Sequence, residues 1–340
     1  MAVGPPSAIN PQTGLPWSVR YDSDFGFVPT LWVCALFVAL FSITGLVHLY
    51  QAFRYRVKKW WIPTVVTCGL VEVLGWSGRV WGSQNIWSQD PYIMQIVCTI
   101  FAPSFMTAAF FITFIHIITI IGPEYSRLSP MIYSSLFVGV DVIALIIQSV
   151  GGGMAATAST HQGSANGAHV MVGGIILQMA AITIYSLTSI EYFWRVFIER
   201  PLRPRDVAGS QDAPSLPQSE APTLNAATAE KSKYVNRHRG TDNLTPNVKS
   251  MLLGLAIATI LVLIRSVYRT IELLDGWGGP IISNQTLFDC LDGIPISLAM
   301  VTLSFFHPGR LIPEHDISAY GTAQTMSFVQ ITSTASETFH

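Results

Sequence analysis

Eight ionisable side chains fall inside stretches of the chain that otherwise read as apolar, and their spacing is that of helix faces. Glu72 and Arg79 are seven residues apart, as are Asp141 and Gln148. Arg265, Arg269 and Glu272 stand at offsets of four and seven, and Asp289 and Asp292 are three apart, with Gln285 one turn before them. At 3.6 residues per turn each set lies on one face. An ionisable group at bilayer depth costs about 2.5–3.5 kcal/mol on insertion scales, and lipid offers it no partner. The faces must therefore turn inward. There they could hold one another by ion pairing, for example Arg265 or Arg269 with Asp292, or bind a charged ligand or a proton. Three guanidinium groups stand against five carboxylates, a formal excess of two negative charges.

The elements that position these groups follow from composition. Of 340 residues 50% are hydrophobic and 11% charged, and the mean hydropathy is +0.43. A soluble domain carries about 25% charged residues. The balance excludes a soluble enzyme, a disordered protein and a nucleic-acid binder of ordinary composition. A bilayer core needs roughly 20 apolar residues per helix. Seven stretches qualify, at about 28–50, 62–82, 93–121, 130–151, 169–194, 247–272 and 285–306. Ser129-Pro130 and Thr245-Pro246 supply a capping hydroxyl followed by proline in the first turn, a helix-start signature.

Fifteen of the 19 Lys and Arg residues lie after spans one, three, five and seven, and only Arg20 lies on the other side. The positive-inside rule then predicts the N-terminus outside and the C-terminus in the cytoplasm. The fold expected is an all-α membrane protein, a seven-transmembrane helix bundle, multi-pass and most simply placed in the plasma membrane. It divides into an extracellular tail, 1–27, a helix domain, 28–307, and a cytoplasmic tail, 308–340. A polar, proline-rich cytoplasmic loop at 200–245 interrupts the helix domain and offers a surface to a cytoplasmic partner. Loop and tail lack the apolar residues to bury a core and are expected to be disordered. With this orientation Arg79, Gln148, Arg265, Arg269, Glu272, Asp289 and Asp292 fall in the outer half, and Glu72 and Asp141 near the midplane. All are predicted to line one outward-facing polar chamber.

Other candidates are weaker. Cys34, Cys68, Cys98 and Cys290 sit singly in apolar runs and read as packing residues. His48, His116 and His307 lie near the cytoplasmic ends of spans, but no H-x-x-x-H or H-E-x-x-H spacing supports a metal. No metal or cofactor is expected. Gly151-Gly152-Gly153 is expected to stop span four and let the backbone approach the chamber, with the polar run 157–169 as an outer loop.

The segments GLVEVLGWSGRVWG, VDVIALIIQSVGGGMAA, RSVYRTIELLDGWGG and FDCLDGIPI together resemble the fungal RTA-like family, from about residue 30 to 310. The resemblance implies a seven-span membrane protein of the lipid-translocating exporter class, linked to export of sphingoid long-chain bases and resistance to toxic amphiphiles. It carries over to Glu72 and Arg79, to Asp141, Gln148 and the glycines after it, to Arg265, Arg269 and Glu272, and to Asp292. The family pattern has glutamate where this chain has Gln285 and tyrosine where it has Asp289, so these two are secondary site candidates.

Three functions are open on these grounds. The first is a translocase for amphipathic lipids, sphingoid bases among them. An ammonium head would be drawn to Glu72, Asp141 and Asp292 while the tail stays in lipid. With no Walker A sequence in the chain, flow would run downhill or be coupled to an ion, with protonation of Glu72 or Asp141 as the coupling step. The second is a seven-helix receptor or stress sensor. Span three ends in IIGPEYSR without a D/E-R-Y-type triplet, and span seven has neither an N-P-x-x-Y-type motif nor a lysine. The third is an intramembrane lipid-modifying enzyme, for which the acidic cluster and the histidines sit at opposite ends of the bundle.

Overall fold

A run of apolar residues long enough to bury its own backbone hydrogen bonds becomes a helix in lipid, and seven long helical segments occur among the described residues. The computed structural model describes residues 18–311 apart from 20–22, 24, 129, 159, 201, 203–243 and 276–278. Helix α1 is Leu31–Arg54 and α2 is Thr67–Gln84, entered through a short helix, Lys58–Trp61, and a π-helical turn, Ile62–Val66. Helices α3 (Gln89–Ile121), α4 (Pro130–Thr157), α5 (His161–Ile198) and α6 (Pro246–Leu274) follow. Helix α7 (Ile294–Phe305) continues from Gln285–Phe288 through a second π turn, Asp289–Gly293. No strand occurs among the described residues.

Each helix packs on the next in sequence, α7 returns to α1, and α3 also touches α6 across the bundle. Helix α3 is the central element, with 61% of its most apolar stretch buried. Its Phe110, Phe111 and Phe114 pack with Tyr133 and Phe137 of α4 and Tyr185 of α5. Large apolar side chains such as Leu46, Ile146, Leu187 and Ile260 instead point outward, the reverse of a soluble protein.

Six helices are long and apolar enough to cross a membrane: α1, α3, most of α4, α5, α6 and the segment Gln285–Leu311. Helix α2 is not among them, because Glu72, Arg79 and its Gly, Ser and Gln residues lower its hydropathy. It is nonetheless packed between α1 and α3.

Two expectations fail at the α4–α5 hairpin. Gly151-Gly152-Gly153 does not stop a helix, since α4 runs on to Thr157. Nor is 157–169 a loop: α5 begins at His161, where Thr160 caps it by accepting from the Gly163 amide at 3.1 Å. The glycines serve a crossing. A Cβ on Gly151 would collide with the backbone of Gly167 and Met171, and one on Gly167 with the backbone of Ala155 and Gly151. Close backbone packing of small residues stabilises helix pairs in membranes and offsets the poor helix propensity of glycine. Thr245 caps α6 as its sequence predicts, accepting from the Val248 amide at 3.3 Å. The expectations for Ser129 and for most of the 1–27 tail, the 200–245 loop and the 308–340 tail lie outside the described residues.

Candidate functional site

Arg265 and Arg269 are one turn apart on α6, and both turn into the bundle, where each is at most 4% exposed. Asp292 of the α7 π turn lies between them, fully buried. Its Oδ1 is 2.6 Å from Arg269 Nε and 3.0 Å from Arg265 Nε, and its Oδ2 accepts from Arg269 Nη2 at 3.0 Å. Arg269 Nη1 also donates to Glu272 Oε2 at 2.9 Å, and Tyr268 donates to Glu272 Oε1 at 2.9 Å.

The local cause of the π turn is Pro295, which has no N–H to return to Leu291 and whose ring crowds that carbonyl. The Ile294 amide bonds Asp289 O, five residues back, and the widened turn gives the two aspartates different surroundings. Asp292 enters the arginine pair, while Asp289 stays partly exposed, accepting from Gln285 Nε2 at 3.1 Å. Gln285 Oε1 in turn accepts from the Thr30 amide and hydroxyl at 3.1 and 3.0 Å, tying the start of this segment to the start of α1.

Helix α3 contributes through another proline. Pro103 interrupts the helical ladder and leaves the Thr99 carbonyl without its i+4 amide. That carbonyl accepts from Arg265 Nη2, and the Thr99 hydroxyl accepts from Arg269 Nη2 at 2.6 Å. A proline in a membrane helix is tolerated when a neighbour satisfies the freed group, and here a guanidinium does so.

Helix α2 supplies two charges that have no ion-pair partner among the described residues. Arg79, 1% exposed, lies over the Phe288 ring at 4.0 Å, with Trp76 and Phe27 at 5.4 and 5.5 Å. Arg269 is 4.7 Å from the centroid of the same Phe288 ring. A desolvated cation over an aromatic face gains about 2 kcal/mol. Glu72 is fully buried within electrostatic reach of Arg265, Asp292 and Arg269, yet neither carboxylate oxygen accepts a hydrogen bond. The Trp76 indole N–H nearby is likewise unsatisfied.

The single chamber expected from the sequence therefore resolves into two separate groups. Glu72, Arg79, Arg265, Arg269, Glu272 and Asp292 meet between α2, α3, α6 and α7, with Asp289 and Gln285 at the rim. Asp141 and Gln148 do not join them. They face α3 and α5, where Asp141 Oδ2 lies 2.5 Å from the Thr107 hydroxyl and Gln148 donates to Gln178 at 3.2 Å. The reason is α3, whose bulk at the centre of the bundle separates the α4 face from the α6 face. The ionic group is also closed rather than wide open. A crevice of about 10 Å³, lined by Arg79, Gln95, Arg269, Glu272, Phe27 and Phe288, is its opening toward the end carrying residues 25–30, with room for about one water.

Beside the network, on the outer surface, α6 and the start of α7 form an apolar groove of about 520 Å³. Ile260, Ile264, Val267, Ile271 and Leu291 line it together with Tyr268, the residue that donates to Glu272. From Ile260 to Ile271 the groove runs about 16 Å along α6. Thr99, Tyr268, Phe288 and Pro103 escape a search confined to charges. The signal that finds them is positional: Gln95, Thr99 and Pro103 recur every four residues along one face of α3, and Tyr268 precedes Glu272 by one turn.

The histidines take structural positions. His48 accepts from the Trp61 indole at 3.3 Å, and its other nitrogen lies 3.0 Å from Met300 O. Among the described residues no three His, Cys, Asp or Glu side chains form a metal-holding group.

The profile of the RTA1 like protein family matches residues 65–315, which contain every charged side chain of both groups. The chain belongs to the RTA1-like family. Among relatives of this member in Saccharomyces cerevisiae, the sphingoid long-chain base transporter RSB1 is 28% identical over 290 residues, 84% of this chain and 73% of RSB1. Protein RTA1 is 22% identical over 302 residues, 82% of each chain. Protein RTM1 is 23% identical over 249 residues, 72% of this chain and 67% of RTM1. No solved structure matches. Family membership together with six helices long and apolar enough to cross a membrane supports an integral multi-pass membrane protein.

Proposed function

We propose that this protein is a translocase for amphipathic lipids with a cationic head, sphingoid long-chain bases foremost, acting in the plasma membrane and conferring resistance to toxic amphiphiles. In this reading α2 is a seventh span, the N-terminus is outside and the C-terminus is cytoplasmic. The observation that carries it is Glu72, a fully buried carboxylate with no ion-pair partner among the described residues and with the Trp76 indole N–H as its neighbouring donor. Leaving such a group unsatisfied costs free energy that a bound ammonium would return. Arg265 and Arg269 already have acceptors in Asp292, Glu272 and Thr99, which leaves Glu72 as the carboxylate to take a positive head. The groove between α6 and α7 fits the tail, since it is open to lipid and almost wholly apolar. Tyr268 stands at the boundary, its ring in the groove and its hydroxyl on Glu272. Head entry requires α6 and α7 to part there. The name of RSB1 supports the substrate class.

The test is reconstitution of the full chain in liposomes with fluorescent sphingoid base, phospholipid and porphyrin in parallel. Glu72→Gln keeps the shape and removes the charge. A charged hydrogen bond contributes about 1.5–3 kcal/mol, so base flux at limiting substrate is expected to fall about 10- to 150-fold with protein level unchanged. Undiminished flux in this variant, or no preference for the base over the other two probes, refutes the reading.

A further inference from the structure

The second buried group, between α3, α4 and α5, has no part in the route proposed above. Asp141 is 3% exposed and sits mid-way along α4. Asp292 is held by two guanidinium groups, but Asp141 has no cation: its one side-chain interaction is with the Thr107 hydroxyl. The elements packed against it carry only neutral groups toward it. These are Ser104 and Thr107 from α3 and Gln178 and Tyr185 from α5, with Tyr133 and Gln148 on α4 itself; both phenol rings pack against Phe137, Tyr133 tilted and Tyr185 edge-on, one turn from Asp141. An ionised carboxylate so placed would be desolvated without compensation.

One placement of the protons satisfies every group without a buried charge. The Thr107 hydroxyl has one hydrogen and two oxygen neighbours, Ser104 O at 3.0 Å and Asp141 Oδ2 at 2.5 Å. If Thr107 donates to Ser104 O, its lone pair faces Oδ2, and that contact becomes a hydrogen bond only when Oδ2 carries a proton. The relay Asp141 Oδ2–H to Thr107 Oγ1 to Ser104 O then satisfies every member. The same seam continues through Gln178, which donates to Ser104 Oγ at 2.7 Å, to Gln148, whose Oε1 is buried without a donor.

We propose that Asp141 is a proton-binding site, carrying one exchangeable proton that is separate from the lipid-head site. Its use as the coupling proton rests on the transport reading; its existence does not. Binding forms one O–H bond on Asp141 with a proton taken from water, and release returns the proton to water and leaves the carboxylate. The carboxylate then draws the Thr107 hydrogen away from Ser104 O, so each cycle switches a hydrogen bond within α3. Thr107 and Thr99 are eight residues, about 12 Å, apart on that helix, with Pro103 between them. Thr99 holds both arginines of the ionic group. A switch at Thr107 thus acts on α3 next to the proline-weakened turn that contacts the network.

Two measurements on the full chain in liposomes test this. Infrared difference spectroscopy reads the carbonyl stretch of a protonated carboxylic acid. The expected result is a band in the unmodified protein that is lost in Asp141→Asn, displaced but retained in Thr107→Val and still present in Glu72→Gln. Sphingoid-base flux is then measured with and without an imposed proton gradient. Asp141→Asn, a neutral mimic of the acid, is expected to keep flux but lose its response to the gradient. Should the band survive in Asp141→Asn, or should that variant respond to the gradient as the unmodified protein does, the proposal is overturned. A band that tracks Asp141 in a protein moving no base upholds the proton site and fails the transport reading alone.

Discussion

Asp292→Asn separates the two roles a buried charge can have, because its cost is set by what surrounds it. The carboxylate receives Arg269 Nε and Nη2 and lies against Arg265 Nε, at 2.6, 3.0 and 3.0 Å. With charge centres about 4 Å apart and an effective dielectric near 20, each pair attracts by about 4 kcal/mol. Neutralising Asp292 forfeits roughly twice that and recovers several kcal/mol of carboxylate desolvation. Asparagine keeps one acceptor oxygen but turns an amide N–H₂ toward the guanidinium groups. The expected net loss is about 3–5 kcal/mol, the range for breaking one member of a buried pair. Glu72→Gln has the opposite balance, since Glu72 accepts no hydrogen bond; it is expected to leave stability unchanged or raise it. The assay is thermal unfolding of both variants in one detergent, followed by size-exclusion of the folded fraction. Equal stability of Asp292→Asn and Glu72→Gln would refute the assignment of Asp292 as the ion-pair keystone and Glu72 as the free carboxylate.

Phe288→Leu removes the ring lying against Arg79 and Arg269; it is expected to cost about 2 kcal/mol or more in the same unfolding assay, and Phe288→Tyr much less. Gly167→Val drives a side chain into the backbone of Ala155 and Gly151. It should lower thermal stability by about 1–3 kcal/mol or abolish the folded peak, whereas Gly173→Val, with open space at its Cβ, should not. Tyr268→Phe keeps the groove lining and removes the bond to Glu272. Base flux is expected to change with little loss of stability, and an unchanged flux would remove Tyr268 from the boundary role.

Charges were the most legible part of the site. A carboxylate or guanidinium in an apolar run must find an interior partner, so Arg265, Arg269, Glu272 and Asp292 could be placed on inward faces by counting alone. Partner choice was less legible. Helical spacing predicts that Glu72 and Arg79 share a face, but not that Arg79 rests on Phe288 while Glu72 goes without an ion-pair partner among the described residues. Nor does the offset of three between Asp289 and Asp292 reveal that a π turn assigns them different environments.

What the order of residues determines here is the class of structure: long apolar helices, because backbone hydrogen bonds in lipid must close within the segment, and buried polar faces, because lipid solvates no charge. Which faces meet is a property of the assembled bundle. Helix α3 lies at its centre and divides the polar groups in two, Pro103 frees a carbonyl that a guanidinium on α6 fills, and Pro295 turns Asp292 toward the same arginines. Those contacts join residues distant along the chain, and helical period alone carries no information about them.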